Sequence, residues 1–318
     1  MSLSRETIEK LASETGFRHE MLEKVSHLLA LLDVIGQDDF LKTRVVLKGG
    51  TALNLFYFDL PRLSVDIDLN YTGSIDPETM KVEREQIERL LQGICGRLKL
   101  QLAKLPDEYA CRKYTASYQS NFSGRGSVQL DINYLHRVNY WAPELKDSIT
   151  LHNLSAKNFP VISLPELTAG KLAALLARTA SRDVFDITKI AGLISPTEPK
   201  LRLAYVLYGA KQPKDWRNVS ISALKIDLAE FTEKLMPVLR ADLAAHYSSP
   251  EKYAEELLAQ SRNFVEHFFP LTAQESEFIH QVRDKGLIQP QLLTMDEELG
   301  NRIKNDPALL WRASKAGS

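Results

Sequence analysis

The chemistry legible in this chain sits in three acidic residues and a glycine pair. The stretch Val45–Tyr71 opens as a short apolar strand (Val45, Val46, Leu47). It continues through Lys48-Gly49-Gly50 to Thr51, which is expected to open an apolar helix. After a turn at Asp59-Leu60-Pro61, a second strand is expected from Val65 to Asn70. Successive strand side chains point to opposite faces. Val65, Ile67 and Leu69 therefore share a buried face, while Asp66, Asp68 and Asn70 share the other. Two adjacent carboxylates repel each other, and a divalent cation offsets that repulsion; hard oxygen ligands suit Mg²⁺. Glycine permits tight or left-handed backbone and the close approach of a ligand. The helix that follows offers free N–H groups and a positive dipole end, which suit phosphate. Thr51 either caps that helix or offers its hydroxyl to the phosphate. A phosphate cradle beside a carboxylate pair is apparatus for moving a phosphoryl or nucleotidyl group.

A third acid stands on a later strand. Two strands are expected at Ala110 to Gln119 and Ser127 to Tyr134, joined by the polar turn 120–126. In the second, Val128, Leu130 and Ile132 alternate with Gln129, Asp131 and Asn133, so Asp131 stands on a polar face as Asp66 and Asp68 do. Further along, a helix starting at Pro165-Glu166 carries Lys171 and Arg178, seven residues apart and nearly aligned. If that helix runs on through Thr179 to Ser181, Arg182 and Asp186 join the same stripe. Such a stripe is suited to a triphosphate, with Asp186 orienting Lys171 or Arg182.

Lys48-Gly49-Gly50-Thr51-Ala52-Leu53 followed by Arg62-Leu63-Ser64-Val65-Asp66-Ile67-Asp68-Leu69 resembles the signature of the AbiEii/AbiGii nucleotidyltransferase-like toxins. These belong to the DNA polymerase β-like nucleotidyltransferase superfamily. Lys48, Arg62 and Ser64 narrow the likeness to the toxins, and Lys171…Arg178…Arg182-Asp183-x-x-Asp186 is similar to their later motif. The resemblance implies that Asp66, Asp68 and Asp131 hold Mg²⁺ (or Mn²⁺), with Asp131 nearest an attacking 3′-hydroxyl. It further implies that Lys48, Gly49, Gly50, Thr51, Arg62 and Ser64 bind the nucleoside triphosphate. Lys171 counters charge on the leaving phosphates, with Arg178, Arg182 and Asp186 beside it. The implied function is that of a toxin of a bacterial toxin–antitoxin or phage-defence system that adds nucleotides to the 3′ end of tRNA and blocks translation. Its implied partners are tRNA and a cognate antitoxin. Nucleotidylation or phosphorylation of a protein or small molecule, and a non-catalytic nucleotide or RNA sensor, are the rival readings. Ser64 shares the acids' face by alternation or bonds the Pro61-Arg62 turn. A phosphate placed on it would compete with the triphosphate for Mg²⁺ and Arg62.

The rest of the chain must position these groups. At 318 residues, 44% hydrophobic and 25% charged, it has length and composition for a folded core. A formal net charge of −1 argues against a surface coated in positive charge for nucleic acid. Cys95 and Cys111 lack metal-like spacing and fit a reducing compartment. With no signal pattern or bilayer-length apolar run, a cytoplasmic protein is expected. Two helices are expected in residues 4–36, and one from Asp76-Pro77 to about Leu100. Beyond Pro160 only helices are expected: Lys200 to Ala210, Ile226 to Ala245, Glu251 to Phe268 and Ala273 to Lys285. The closing basic segment suits RNA or a packed last helix, and Trp311 with Leu309 and Leu310 favours packing. The expected fold is α+β. A nucleotidyltransferase-type mixed twisted sheet with flanking helices fills residues 1–164, and an all-helical domain fills residues 165–318.

Overall fold

The computed structural model describes residues 3–106, 110–122, 124–245 and 249–316. These divide into two compact units. The first comprises Met1–Arg137, Pro143–Ile162 and Met236–His246; the second comprises Val138–Ala142, Ser163–Leu235 and Tyr247–Ser318. The expected boundary at residue 164 lies beside the change at Ile162/Ser163, and two short segments cross it, 138–142 and 236–246.

In the first unit, helix α1 (Arg5–Thr15) begins at Ser4, whose hydroxyl accepts from the Thr7 N–H, and stops at Gly16 in left-handed backbone. Helix α2 (His19–Gln37) buries Leu22, Val25, Leu28, Leu29, Leu32 and Ile35. Strand β1 (Val45–Lys48) leads into a short helix, α3 (Gly49–Ala52), which widens into a π turn over Leu53–Tyr57. Strand β2 (Asp66–Tyr71) follows. Helix α4 (Pro77–Arg97) is capped by Asp76 and started by proline, as its sequence predicts. Strands β3 (Gln101–Lys104), β4 (Cys111–Gln119), β5 (Arg125–Asn133), β6 (Glu144–Lys146) and β7 (Phe159–Val161) complete a seven-stranded sheet ordered β3-β4-β5-β2-β1-β7-β6. The β2–β5 and β1–β7 pairs are parallel and the rest antiparallel, so the sheet is mixed. Short β3, β6 and β7 carry no alternating signal of their own. The turn joining β4 to β5 contains residue 123, which lies outside the described residues.

One sheet face carries Val45, Leu47, Ile67, Leu69, Val128, Leu130, Ile132 and Tyr114, all buried. Helix α2 packs against β5 and α4. Each such side chain contributes about 1.5–3 kcal/mol by leaving water. Buried Glu23 on α2 accepts from the Ser120 hydroxyl (2.6 Å) and the Asn121 N–H (2.7 Å), which pins the β4–β5 turn to the helix. With the core on this side, the opposite face holds the acids.

Among the described residues, every strand lies in the first unit. The second is built on helices α5 (Leu164–Arg178), α6 (Ser181–Ile190), α7 (Pro199–Ala210), Pro250–Val265 and Ala273–His280, with shorter turns between. The long helix expected over Ile226–Ala245 does not form. Its place is taken by Leu228–Glu230, Phe231–Leu235, Met236–Val238 and Ala241–Ala245. Pro237 cannot donate a helical hydrogen bond. Instead the Val238 carbonyl accepts from the Leu63 N–H and the Pro61 carbonyl from the Arg240 N–H, so this segment supports the turn that carries Arg62. The last helix, Pro307–Ala313, packs through Pro307, Ala308, Leu309 and Ala313. Contrary to expectation, Trp311 is 42% exposed, because helical spacing turns it and Leu310 away from the buried side. No helix among the described residues is long and apolar enough to cross a membrane.

Candidate active site

Strand register assembles the polar face. Asp68 lies opposite Asp131 in the parallel β2–β5 pair, Lys48 opposite Asp68 in β1–β2, and Lys113 opposite Asp131 in β4–β5. Directly opposed residues share a face. One row across four strands therefore reads Lys113, Asp131, Asp68, Lys48, with two acids side by side between two cations. Asp66 stands two residues before Asp68 on the same face. The Nζ of Lys24, on α2, is 3.9 Å from an Asp66 carboxylate oxygen.

The electrostatics of the row appear at Asp131. Burial pushes its carboxyl above the ordinary range, and the negative charges of Asp68 and Asp66 push the same way, while Lys113 and Lys48 pull it back. The three acids thus interact, with repulsion left over. Among the described residues no group of three or more acidic, histidine or cysteine side chains is placed so that it could hold a metal ion. The donors on this face are nonetheless hard oxygens, and the repulsion at Asp131 is what a divalent cation offsets. Donors of this kind are the ones that suit Mg²⁺ or Mn²⁺.

The glycine pair abuts the row. Gly49 takes left-handed backbone (φ 75°), and a Cβ built there would lie 2.4 Å from an Asp68 carboxylate oxygen. Both facts require glycine. At Gly50 a Cβ would meet the Ser64 hydroxyl at 2.9 Å and the Arg62 guanidinium at 3.0 Å. The helix begins at Gly49, with Lys48 in the cap position and making no side-chain cap bond. Thr51 is therefore inside the helix and caps nothing. It is fully buried, and its hydroxyl donates to the Asp66 carbonyl, with the Ser64 hydroxyl 3.0 Å away. The side chain fastens the glycine turn to the strand of acids; the alternative of a phosphate-facing hydroxyl finds no support here. Ser64 lies just before β2 and contacts Thr51. Arg62, 2% exposed, donates to the Leu63 carbonyl at 3.0 Å and lies beneath Gly50.

The later motif lies in the second unit. Helix α5 ends at Arg178 because Thr179 adopts left-handed backbone (φ 51°), so no continuous stripe reaches Asp186. The bend instead folds α6 back onto α5. Lys171, 8% exposed, is ion-paired with Asp183 (2.8 Å) and Asp186 (2.7 Å). Arg178 donates to Asp183 through Nε at 2.8 Å. Burial works against the Asp183 charge, but Lys171 and Arg178 outweigh it and hold its carboxyl below the ordinary range. Arg182 is half-buried on α6. Asp186 does engage Lys171, as one reading of the stripe has it. Asp183, which helical alignment alone did not single out, joins them.

Sequence reasoning also missed Lys24 and Lys113. Lys113 alternates with Tyr114 on β4, but its place opposite Asp131 follows only from the register. A family model described as "Nucleotidyl transferase AbiEii toxin, Type IV TA system" matches residues 31–271. Among solved structures, MenT4, a nucleotidyltransferase toxin from Mycobacterium tuberculosis H37Rv, matches with a TM-score of 0.62 at 17% identity, covering 97% of this chain and 99% of its own. That likeness establishes the nucleotidyltransferase-type α+β fold. No curated protein sequence matches the chain.

Proposed function

The chain belongs to the AbiEii nucleotidyltransferase toxin family of toxin–antitoxin systems, and from that premise we propose that it moves a nucleoside monophosphate from a nucleoside triphosphate to the 3′ end of tRNA, which blocks translation. The observation that carries this reading is the acid row with Gly49 pressed against Asp68. It puts backbone suited to phosphate beside carboxylates suited to a divalent cation. Asp66, Asp68 and Asp131 would hold the divalent cation, which would supply Lewis acidity and offset charge on the phosphates when bound. Gly49 and Gly50 admit the triphosphate without a side chain in its way, and Lys48 adds a cation on the same side. The 3′-hydroxyl stands beside Asp131, which accepts its proton. Its oxygen bonds to the α-phosphorus as the bond from that phosphorus to the α–β bridging oxygen breaks, and pyrophosphate leaves. The cytoplasm supplies tRNA and triphosphates, and a cognate antitoxin is the partner that family membership implies.

The test incubates each labelled triphosphate with total tRNA, total protein and Mg²⁺. Label on tRNA 3′ ends, lost in EDTA and in Asp68→Ala, is the expected result. Label on protein instead of tRNA, or transfer that persists in excess EDTA, refutes the acceptor or the metal respectively.

A further inference from the structure

The polar face of the sheet extends beyond the acids. Along β4–β5 the register sets Lys113 opposite Asp131, Thr115 opposite Gln129, Ser117 opposite Ser127 and Gln119 opposite Arg125. The other face of this ribbon, with Tyr114, Ala116, Tyr118, Val128 and Leu130, is buried. On the polar face Gln129 and Arg125 are exposed, and Lys113, Thr115, Ser117 and Ser127 are half-buried. From Lys113 to Gln119 this open strip runs about 20 Å at the usual rise of a strand. It leads away from the acids, with a cation at each end.

Direction follows from the displacement itself. The close approach of Gly49 to Asp68 puts the phosphate-binding backbone on the β1 side of the row. In-line transfer requires the attacking oxygen to stand opposite the leaving group. The acceptor therefore arrives from the β5–β4 side, where Lys113 is the cation next to Asp131. An RNA 3′ end brings a phosphodiester immediately 5′ of the attacking nucleoside, and a lysine ammonium suits it as a point charge. We propose that the polar face of the β4–β5 ribbon is the track for the acceptor RNA strand, with Lys113 holding the phosphodiester adjacent to the reacting 3′-hydroxyl. The track rests on the tRNA reading above. Thr115, Ser117, Ser127 and Gln129 offer hydrogen bonds to phosphate and sugar that carry no sequence preference.

The test measures binding of fluorescent tRNA to the full chain without triphosphate or metal, followed by steady-state transfer. Lys113→Ala should weaken binding about tenfold at low salt and reduce the slope of log K against log salt by about 1. Lys113→Arg should stay within about twofold of wild type, since it keeps the charge. In transfer, Lys113→Ala should raise KM for tRNA and leave KM for the triphosphate unchanged, and Lys48→Ala should do the reverse. If Lys113→Ala melts early, Gln129→Lys carries the test, because an added cation on the exposed strip should tighten tRNA binding. Wild-type binding and KM for tRNA in Lys113→Ala, or no tightening in Gln129→Lys, overturns the track alone. A wild-type protein that transfers to no RNA overturns the tRNA reading and the track with it.

Discussion

The two glycines of the Lys48-Gly49-Gly50 turn do different work, and substitution should separate them. An alanine at 49 must hold left-handed backbone, at about 1–2 kcal/mol, and its Cβ would press on the Asp68 carboxylate. Gly49→Ala should lose transfer by orders of magnitude and melt earlier. At Gly50 the nearest atoms are the Ser64 hydroxyl and the end of the Arg62 side chain, which can shift, so Gly50→Ala should be milder on both counts. Asp68→Ala should abolish transfer and leave thermal stability unchanged or higher, because removing one charge relieves the repulsion felt at Asp131. A clear fall in its melting temperature would mean that the row is held by contacts other than charge. Ser64 touches Thr51 close to Gly50. Ser64→Glu should therefore lose nearly all transfer while Ser64→Ala keeps much of it, and equal activity of the two variants would remove the charge argument. Alternation alone made Asp66, Asp68 and Asp131 legible, since a side chain's face depends only on its own strand. Lys113 and Lys24 were not legible, because their nearness to the acids depends on pairing and packing between distant segments.

Local signals read a helix start well where a cap residue does the work, as Asp76 does for α4. They failed at Thr51, because the left-handed Gly49 starts the helix earlier and leaves Thr51 to bond the neighbouring strand. They failed again at α5–α6, where the left-handed Thr179 breaks the stripe but the bend still brings Asp186 to Lys171. That packing changes what Lys171→Ala should do. A lysine that only contacts phosphate leaves the fold unaffected when removed. Here removal leaves Asp183 and Asp186 as neighbouring buried carboxylates without their shared cation, and breaking a buried pair costs about 3–5 kcal/mol. Lys171→Ala should therefore unfold at clearly lower urea concentration than wild type. Asp183→Asn with Lys171→Met should recover part of the loss. An unchanged midpoint in Lys171→Ala would show that Asp183 and Asp186 do not depend on it.

At the scale of the whole molecule, the two units carry buried titrating groups of opposite sign, which gives each a different response to pH. In the second unit, burial raises the Glu166 carboxyl to about 7, against the hydrogen bonds it accepts from the Tyr140 and Trp141 N–H groups and the Ser163 hydroxyl. The unfolded chain releases that proton near the ordinary 4.5 while the folded unit keeps it, so this contribution to stability is lost as pH rises from about 4.5 to about 7. In the first unit, His27 stacks on Tyr118, and burial lowers its pKa to about 4, the nearby Glu23 opposing. The unfolded chain takes up a proton below the ordinary 6.5 and the folded unit does not, so this contribution is lost as pH falls from about 6.5 to about 4. Each effect is on the order of 3 kcal/mol across its window. Trp141, Trp216 and Trp311 are the chain's three tryptophans and all lie in the second unit, so tryptophan fluorescence follows its unfolding alone. Amide exchange in β2 and β5 follows the first unit. Relative to wild type, Glu166→Gln should gain stability by fluorescence as pH rises from 5 to 7. His27→Gln should gain protection in β2 and β5 as pH falls over the same interval. A fluorescence difference that does not change with pH would mean that Glu166 is ionised throughout, held by its three donors. A constant exchange difference would mean that His27 accepts its proton within the fold, with Glu23 as its partner.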